Sequence, residues 1–84
     1  MAQVTVVYRG TLAESIGVKS EEIQADKVAD VMRHIKAAHG EANYKQAKPT
    51  LIVVNGISIL QKKVYATKLS DGDVVSFLPL AAGG

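Results

Sequence analysis

The chain closes on Phe77-Leu78-Pro79-Leu80-Ala81-Ala82-Gly83-Gly84, and the residues best suited to chemistry with another molecule lie in that stretch. No charged side chain follows Asp73, a proline interrupts the apolar run, and the last two residues have no side chain. Chain ends are ordinarily polar and solvated, because nothing pins them. An apolar end with a bare tip is expected to be held by a partner and to enter a narrow site. Glycine suits such a tip for two reasons: without Cβ the backbone can thread a tunnel, and the final carbonyl carbon stays open to in-line attack.

Elsewhere the reactive side chains are explained by ordinary roles. His34 and His39 are five residues apart, whereas a ligand pair on one helix needs a spacing of three or four, so they are expected to be solvated residues near a helix end. Asp71 and Asp73 flank a glycine, and turn formation accounts for them without a metal or acid–base role. No metal site is expected. The sequence has no cysteine, which removes disulfides, zinc thiolates, iron–sulfur clusters and a thiol nucleophile together. With no nucleophile, base and stabiliser set, the chain is not expected to be an enzyme on its own.

The 84 residues point to one domain with a small core, and a hydrophobic share of 48% argues against disorder. The net charge of +2 is spread along the chain, and the paired Lys62-Lys63 is no more than a solvated loop, so nucleic acid is not an expected partner. The first residues do not form a secretory signal, and no apolar run is long enough to cross a bilayer; a cytoplasmic, soluble protein is expected.

The elements that must position the tail follow from periodicity. Val4, Val6 and Tyr8 alternate with Gln3, Thr5 and Arg9, which predicts a strand over Gln3 to Arg9. Thr11 to Gly17 reads as an irregular connection or one helical turn, and Val18 to Ala25 as a polar strand at a sheet edge. Val28, Val31, Met32, Ile35 and Ala38 line one face of the main helix, with Asp26 as N-cap and Gly40 as left-handed stop. Glu41 to Lys48 could hold another helical turn before Pro49. Leu51 to Val54 reads as a covered strand, Asn55-Gly56 as a tight hairpin turn, and Ile57 to Leu60 as the return. Gln61 to Lys68 reads as loop with a short strand near Val64 and Tyr65; Ser70 to Asp73 is a turn, and Val74 to Leu78 the last strand. The sum is an α+β domain with one main helix over one face of a mixed sheet of four to five strands. The first and last strands are expected to pair at its centre, so that the tail, residues 79 to 84, leaves from the middle of the sheet.

Val54-Asn55-Gly56, then Leu69-Ser70-Asp71-Gly72-Asp73 with Val75, Phe77-Leu78-Pro79 and the terminal Gly83-Gly84, are similar to the β-grasp, ubiquitin-like sulfur carriers, and most closely to the small subunit of molybdopterin synthase. The resemblance spans essentially the whole chain, and its specific part is the C-terminal block. It implies a protein co-substrate that binds no cofactor. An E1-like enzyme would spend ATP to adenylate Gly84, a sulfur donor protein would displace AMP, and the resulting thiocarboxylate would give its sulfur to a pyranopterin. That substrate would be held by the large synthase subunit in a heterotetramer, and the dithiolene formed would bind molybdenum or tungsten. By the same resemblance Gly84 carries the reactive carboxyl and Gly83 its approach, while Phe77, Leu78, Pro79, Leu80, Ala81 and Ala82 face the partner and root the tail. Two positions depart from the family pattern: Leu80 stands where a second proline is frequent, and Val74 where an acidic residue is common.

A carboxylate is a poor electrophile, because its charge is shared over two oxygens and oxide is a bad leaving group. Exchanging that leaving group for AMP makes attack by sulfur feasible, with nucleophile, ATP site and base all supplied by partners. Extended at about 3.3 Å per residue, the segment from Pro79 to Gly84 reaches roughly 15 to 20 Å. Carriers for thiamine or cysteine synthesis, and ubiquitin-like modifiers conjugated through the last glycine, share the fold and the diglycine. A β-grasp binding module with an incidental tail is the third class.

Overall fold

The computed structural model describes residues 1–79. Strand β1, Ala2–Tyr8, turns at Gly10 into helix α1, Gly10–Ile16, and then into β2, Ser20–Ala25. Helix α2 spans Val28–His39 and α3 spans Glu41–Ala47. Strands β3, Leu51–Val54, and β4, Ile57–Ser58, form a hairpin, two single-turn 3₁₀ helices follow at Ile59–Gln61 and Val64–Ala66, and β5 is Val74–Leu78. The sheet order is β2-β1-β5-β3-β4. β1 and β5 run parallel at the centre, with Val6 opposite Val75 and Tyr8 opposite Phe77, and the other pairs are antiparallel. The β-grasp, α+β architecture expected from the sequence is the observed one.

Alternation decides which face is covered. Val4, Val6 and Tyr8 of β1, Val75 and Phe77 of β5, and Ile52 and Val54 of β3 are buried, and with Val28, Val31, Met32 and Ile35 of α2 they make the core. β2 lies at an edge, as its polarity implies. The segment after Gly10 is a full helix and not one turn, because Leu12 is buried in the core. Asp26 is not the N-cap of α2. Lys27 holds that position, and Asp30 reaches back so that its carboxylate accepts from the backbone N–H groups of Asp26 and Lys27, at 2.9 and 3.2 Å. A carboxylate in the first turn offsets the unpaired amides as a cap would. Gly40 does end α2, but at φ 95° and ψ 162°, an extended conformation open to glycine and not the left-handed helical one.

The return strand is shorter than the apolar pattern suggests: only Ile57 and Ser58 pair, and Ile59 turns inward as a buried residue of a 3₁₀ helix. Val64 and Tyr65 likewise lie in a 3₁₀ turn, with Val64 at φ 53°, a value strained for a β-branched residue.

The two turn motifs of the sequence are bound to each other. Asn55 and Gly56 take φ 52° and 86°, as a two-residue hairpin turn requires. The Asn55 side chain donates to Asp73 Oδ1 and accepts from the Val74 N–H, both at 2.9 Å, while Asp73 Oδ2 accepts from the Ser70 N–H at 2.8 Å. Asp71 accepts from the Gln3 N–H at 2.8 Å, and the Gly72 N–H donates to the Gln3 carbonyl at 2.9 Å. The clasp therefore ties β1, β3 and β5 together where β5 begins. The Ser70 hydrogen bond, then the Asn55 amide, lower the Asp73 pKa against the opposing effect of burial. A group whose folded pKa is depressed stabilises above its unfolded value and loses that contribution as pH falls through the folded one. The stability gap between the wild type and Asp73→Asn should be full at pH 7 and close as the pH drops below about 3.9, the ordinary aspartate value. Urea denaturation at stepped pH measures it; a gap that does not narrow in acid would show that the Asp73 charge plays no part.

Candidate functional site

The root of the tail is built from the ends of two central strands. Phe77 is fully buried and its ring stacks on Tyr8, centroids 5.8 Å apart. The expectation that Phe77 faces a partner is thus corrected for its side chain: alternation along β5 turns Val75 and Phe77 to the helices and leaves Val74, Ser76 and Leu78 on the opposite face. Leu78 is half-buried beside Leu51 there, and Pro79 is exposed. Val7, Val53 and Val74 continue the same helix-free face, making it more apolar than an ordinary solvated sheet surface. The continuous apolar run Leu51 to Val54, read as a covered strand, is the part of that second face visible in the sequence.

Pro79 leaves the sheet over Gly10. Gly10 takes φ 63°, and a Cβ placed on it would come within 3.4 Å of Pro79 Cγ. The residue that turns β1 into α1 therefore also gives the proline its seat. A shallow groove beside it is lined by Arg9, Thr11, Gln46, Thr50 and Pro79. Leu80, Ala81, Ala82, Gly83 and Gly84 lie outside the described residues.

A second group of side chains assembles on Glu21, which the spacing of the two histidines does not point to. The Nε2 atoms of His34 and His39 both approach Glu21 Oε2, at 3.2 and 2.8 Å, and the Tyr8 hydroxyl donates to that oxygen at 2.6 Å. The two histidines are half-buried, not freely solvated. Helical spacing alone cannot bring them together; the glutamate of the neighbouring edge strand does, with His39 at the last residue of α2. Burial pushes the Glu21 pKa up, but the hydrogen bonds from Tyr8 and His39 and the charges of both imidazoles outweigh it, so the net shift is downward. Burial, followed by the bond to Glu21 and its charge, raises the Tyr8 pKa far above the usual phenol range, so Tyr8 remains a neutral donor.

Sheet order, central parallel pair and covering helices define a β-grasp protein of the class that includes sulfur carriers and ubiquitin-like modifiers. Residues 6–84 match the ThiS family, and the chain belongs to it. Among solved structures it is similar to small archaeal modifier protein 1 of Methanosarcina acetivorans, at 25% identity and TM-score 0.86, over 100% of this chain and 98% of that one. CysO of Mycobacterium tuberculosis is 25% identical with TM-score 0.81, over 93% and 99% of the two chains. The complex of subunits 1 and 2 of molybdopterin-converting factor from Helicobacter pylori holds a chain 25% identical with TM-score 0.70, over 98% and 99%. No match is found among curated protein sequences. No helix among the described residues is long and apolar enough to cross a membrane.

The opposite facings of Phe77 and Leu78 separate stability from docking. Phe77→Ala should cost about 3 to 5 kcal/mol, the usual range for a buried aromatic. Leu78→Ala, on the half-covered face, should cost about 1 to 2 kcal/mol. Equilibrium urea denaturation of the two variants measures both, and equal losses would place Leu78 in the core as well.

Proposed function

We propose that this protein carries sulfur as a thiocarboxylate on Gly84 and delivers it for dithiolene formation in molybdopterin synthesis. The observation that carries the reading is the continuity of β5 with the tail. A central strand held on both sides leads through Leu78 on an apolar open face, and through Pro79 seated on Gly10, into an uncharged segment ending in Gly83-Gly84. The ThiS family match extends through those last two residues, and a chain of similar fold is paired with a second subunit in the molybdopterin-converting factor complex.

The division of labour follows from the chemistry. The Gly84 carboxylate attacks the α-phosphorus of ATP bound to an E1-like partner, releasing pyrophosphate. A sulfide equivalent from a donor protein then displaces AMP, leaving the acyl carbon bonded to sulfur. The large synthase subunit would receive the open face and draw in the tail, with Leu80, Ala81 and Ala82 lining its entry and Gly83 its narrowest part. Apolar area on Leu78, Leu51, Val7 and Val74 would drive docking, and the rigid root would lower the ordering cost of binding. This chain binds no cofactor of its own in the scheme.

A second reading, conjugation through Gly84 to amines of other proteins, is favoured by the full-length similarity to small archaeal modifier protein 1. A third receiver, in cysteine synthesis, is suggested by the likeness to CysO. Intact-mass measurement of the protein after incubation with the E1-like enzyme, ATP and a sulfur source tests the first step. The expected product is heavier by the exchange of one oxygen for sulfur, and one residue appended after Gly84 should abolish it. Isopeptide adducts alone would select the modifier reading, and unimpaired sulfur loading of the extended variant would overturn the mechanism. Conversion of the cyclic pyranopterin precursor by the loaded protein with the large subunit then tests the receiver.

A further inference from the structure

We propose that Glu21, His34 and His39 form a binding site for a divalent transition-metal cation of the zinc class, separate from the tail. The separations from the Glu21 oxygen to the two imidazole nitrogens are close to those around a tetrahedral ion. Around zinc, with nitrogen and oxygen ligands at about 2.0 to 2.1 Å, neighbouring ligand atoms lie about 3.3 Å apart. Here Glu21 Oε2 is 3.2 Å from His34 Nε2 and 2.8 Å from His39 Nε2, and the three ligand atoms all lie within 4.8 Å of one another. The imidazole planes are 79° apart, so the two rings meet edge to face and do not stack. Modest spreading of the side chains opens the centre.

The hydrogen bonding of the cluster points the same way. Glu21 Oε2 faces three donors, from Tyr8, His34 and His39, although a carboxylate oxygen offers two lone pairs. A cation bound through the two histidines replaces two competing N–H donors with one bond to Oε2 and leaves the other lone pair to Tyr8. Tyr8 then orients the ligating carboxylate from outside, the role that partners of metal ligands commonly fill. The position also suits a cation electrostatically. His39 is the last residue of α2, where the carbonyl end of the helix carries partial negative charge. Side-chain exposures of 24% for Glu21, 30% for His34 and 17% for His39 leave an entry path and room for a water as fourth ligand. Two imidazoles and one carboxylate select zinc, or related ions of the first transition row, over calcium or magnesium, which prefer oxygen ligands.

Calorimetric titration of the tag-free full chain with Zn²⁺ tests the site, with Co²⁺ absorption in the visible as a reporter of four-coordinate geometry. One ion per chain is expected. His34→Ala and His39→Ala should each weaken binding at least about tenfold, and Tyr8→Phe, acting through the carboxylate, by about 10 to 100-fold. Thermal melts without metal confirm that each variant is folded; His34, the most exposed of the three, is the variant least coupled to the core. Absence of binding by the wild type, or affinity unchanged in folded His34→Ala, would overturn the proposal.

Discussion

The parallel pairing of β1 with β5 is the constraint on which the molecule rests. Parallel neighbours cannot be joined by a tight turn, so the residues between Tyr8 and Val74 have to travel around the sheet before the chain can return. That circuit comprises three α-helices, two single-turn 3₁₀ helices, an edge strand and a hairpin, and its α-helices cover the face on which Tyr8 and Phe77 meet. Such contacts are remote in sequence, and the loop-closure entropy they demand is offset only when the apolar core forms. The last strand of the chain thereby also completes its core, through Val75 and Phe77. A β5 that failed to dock would expose Val75 and Phe77 together and release the tail from its base.

The legible parts of this architecture were those in which a local rule and the tertiary structure agree. Period-two runs at Val4 to Tyr8 and Val74 to Leu78, the apolar stripe of α2, and the Asn55-Gly56 turn each express their final form within a few residues. What escaped was decided by partners distant in sequence. Asp26 looked like a cap by composition, but Asp30 could fill the same need from inside the helix, and the Asp26 carbonyl pairs instead with the Leu69 N–H at 2.9 Å. Ile57 to Leu60 had the pattern of a strand, yet the core needed Ile59 and took it by a 3₁₀ turn. The spacing of His34 and His39 along one helix does not bring them together, whereas Glu21 on β2 does. The resemblance places Phe77 with Leu78 toward a partner, whereas the register opposite Tyr8 turns the Phe77 side chain into the core.

Tyr8 joins two regions that would otherwise be unrelated. Its ring stacks on Phe77, one residue before the half-covered Leu78, and its hydroxyl ends on Glu21 beside both histidines. The same side chain touches the edge of His39, with centroids 6.0 Å apart. Because burial keeps its proton in place, this residue gives the cluster a permanent donor and the tail root a fixed wall. Aromatic pairs of this kind contribute about 0.5 to 1.5 kcal/mol beyond area burial, enough to hold one rotamer over its alternatives.

The clasp of Asn55 on Asp73 and Val74 gives β5 a parity. Its five residues are counted from a fixed starting point, and every second one belongs to the core. Loss or gain of a single residue between Val74 and Leu78 would exchange inside for outside along the remainder of the strand, sending an aromatic ring to the open face and a serine inward. A two-residue change keeps the facings and alters only how far the end projects. The strand thus behaves as a gauge with two-residue graduations, set at one end by the clasp and at the other by the point where Pro79 passes over Gly10.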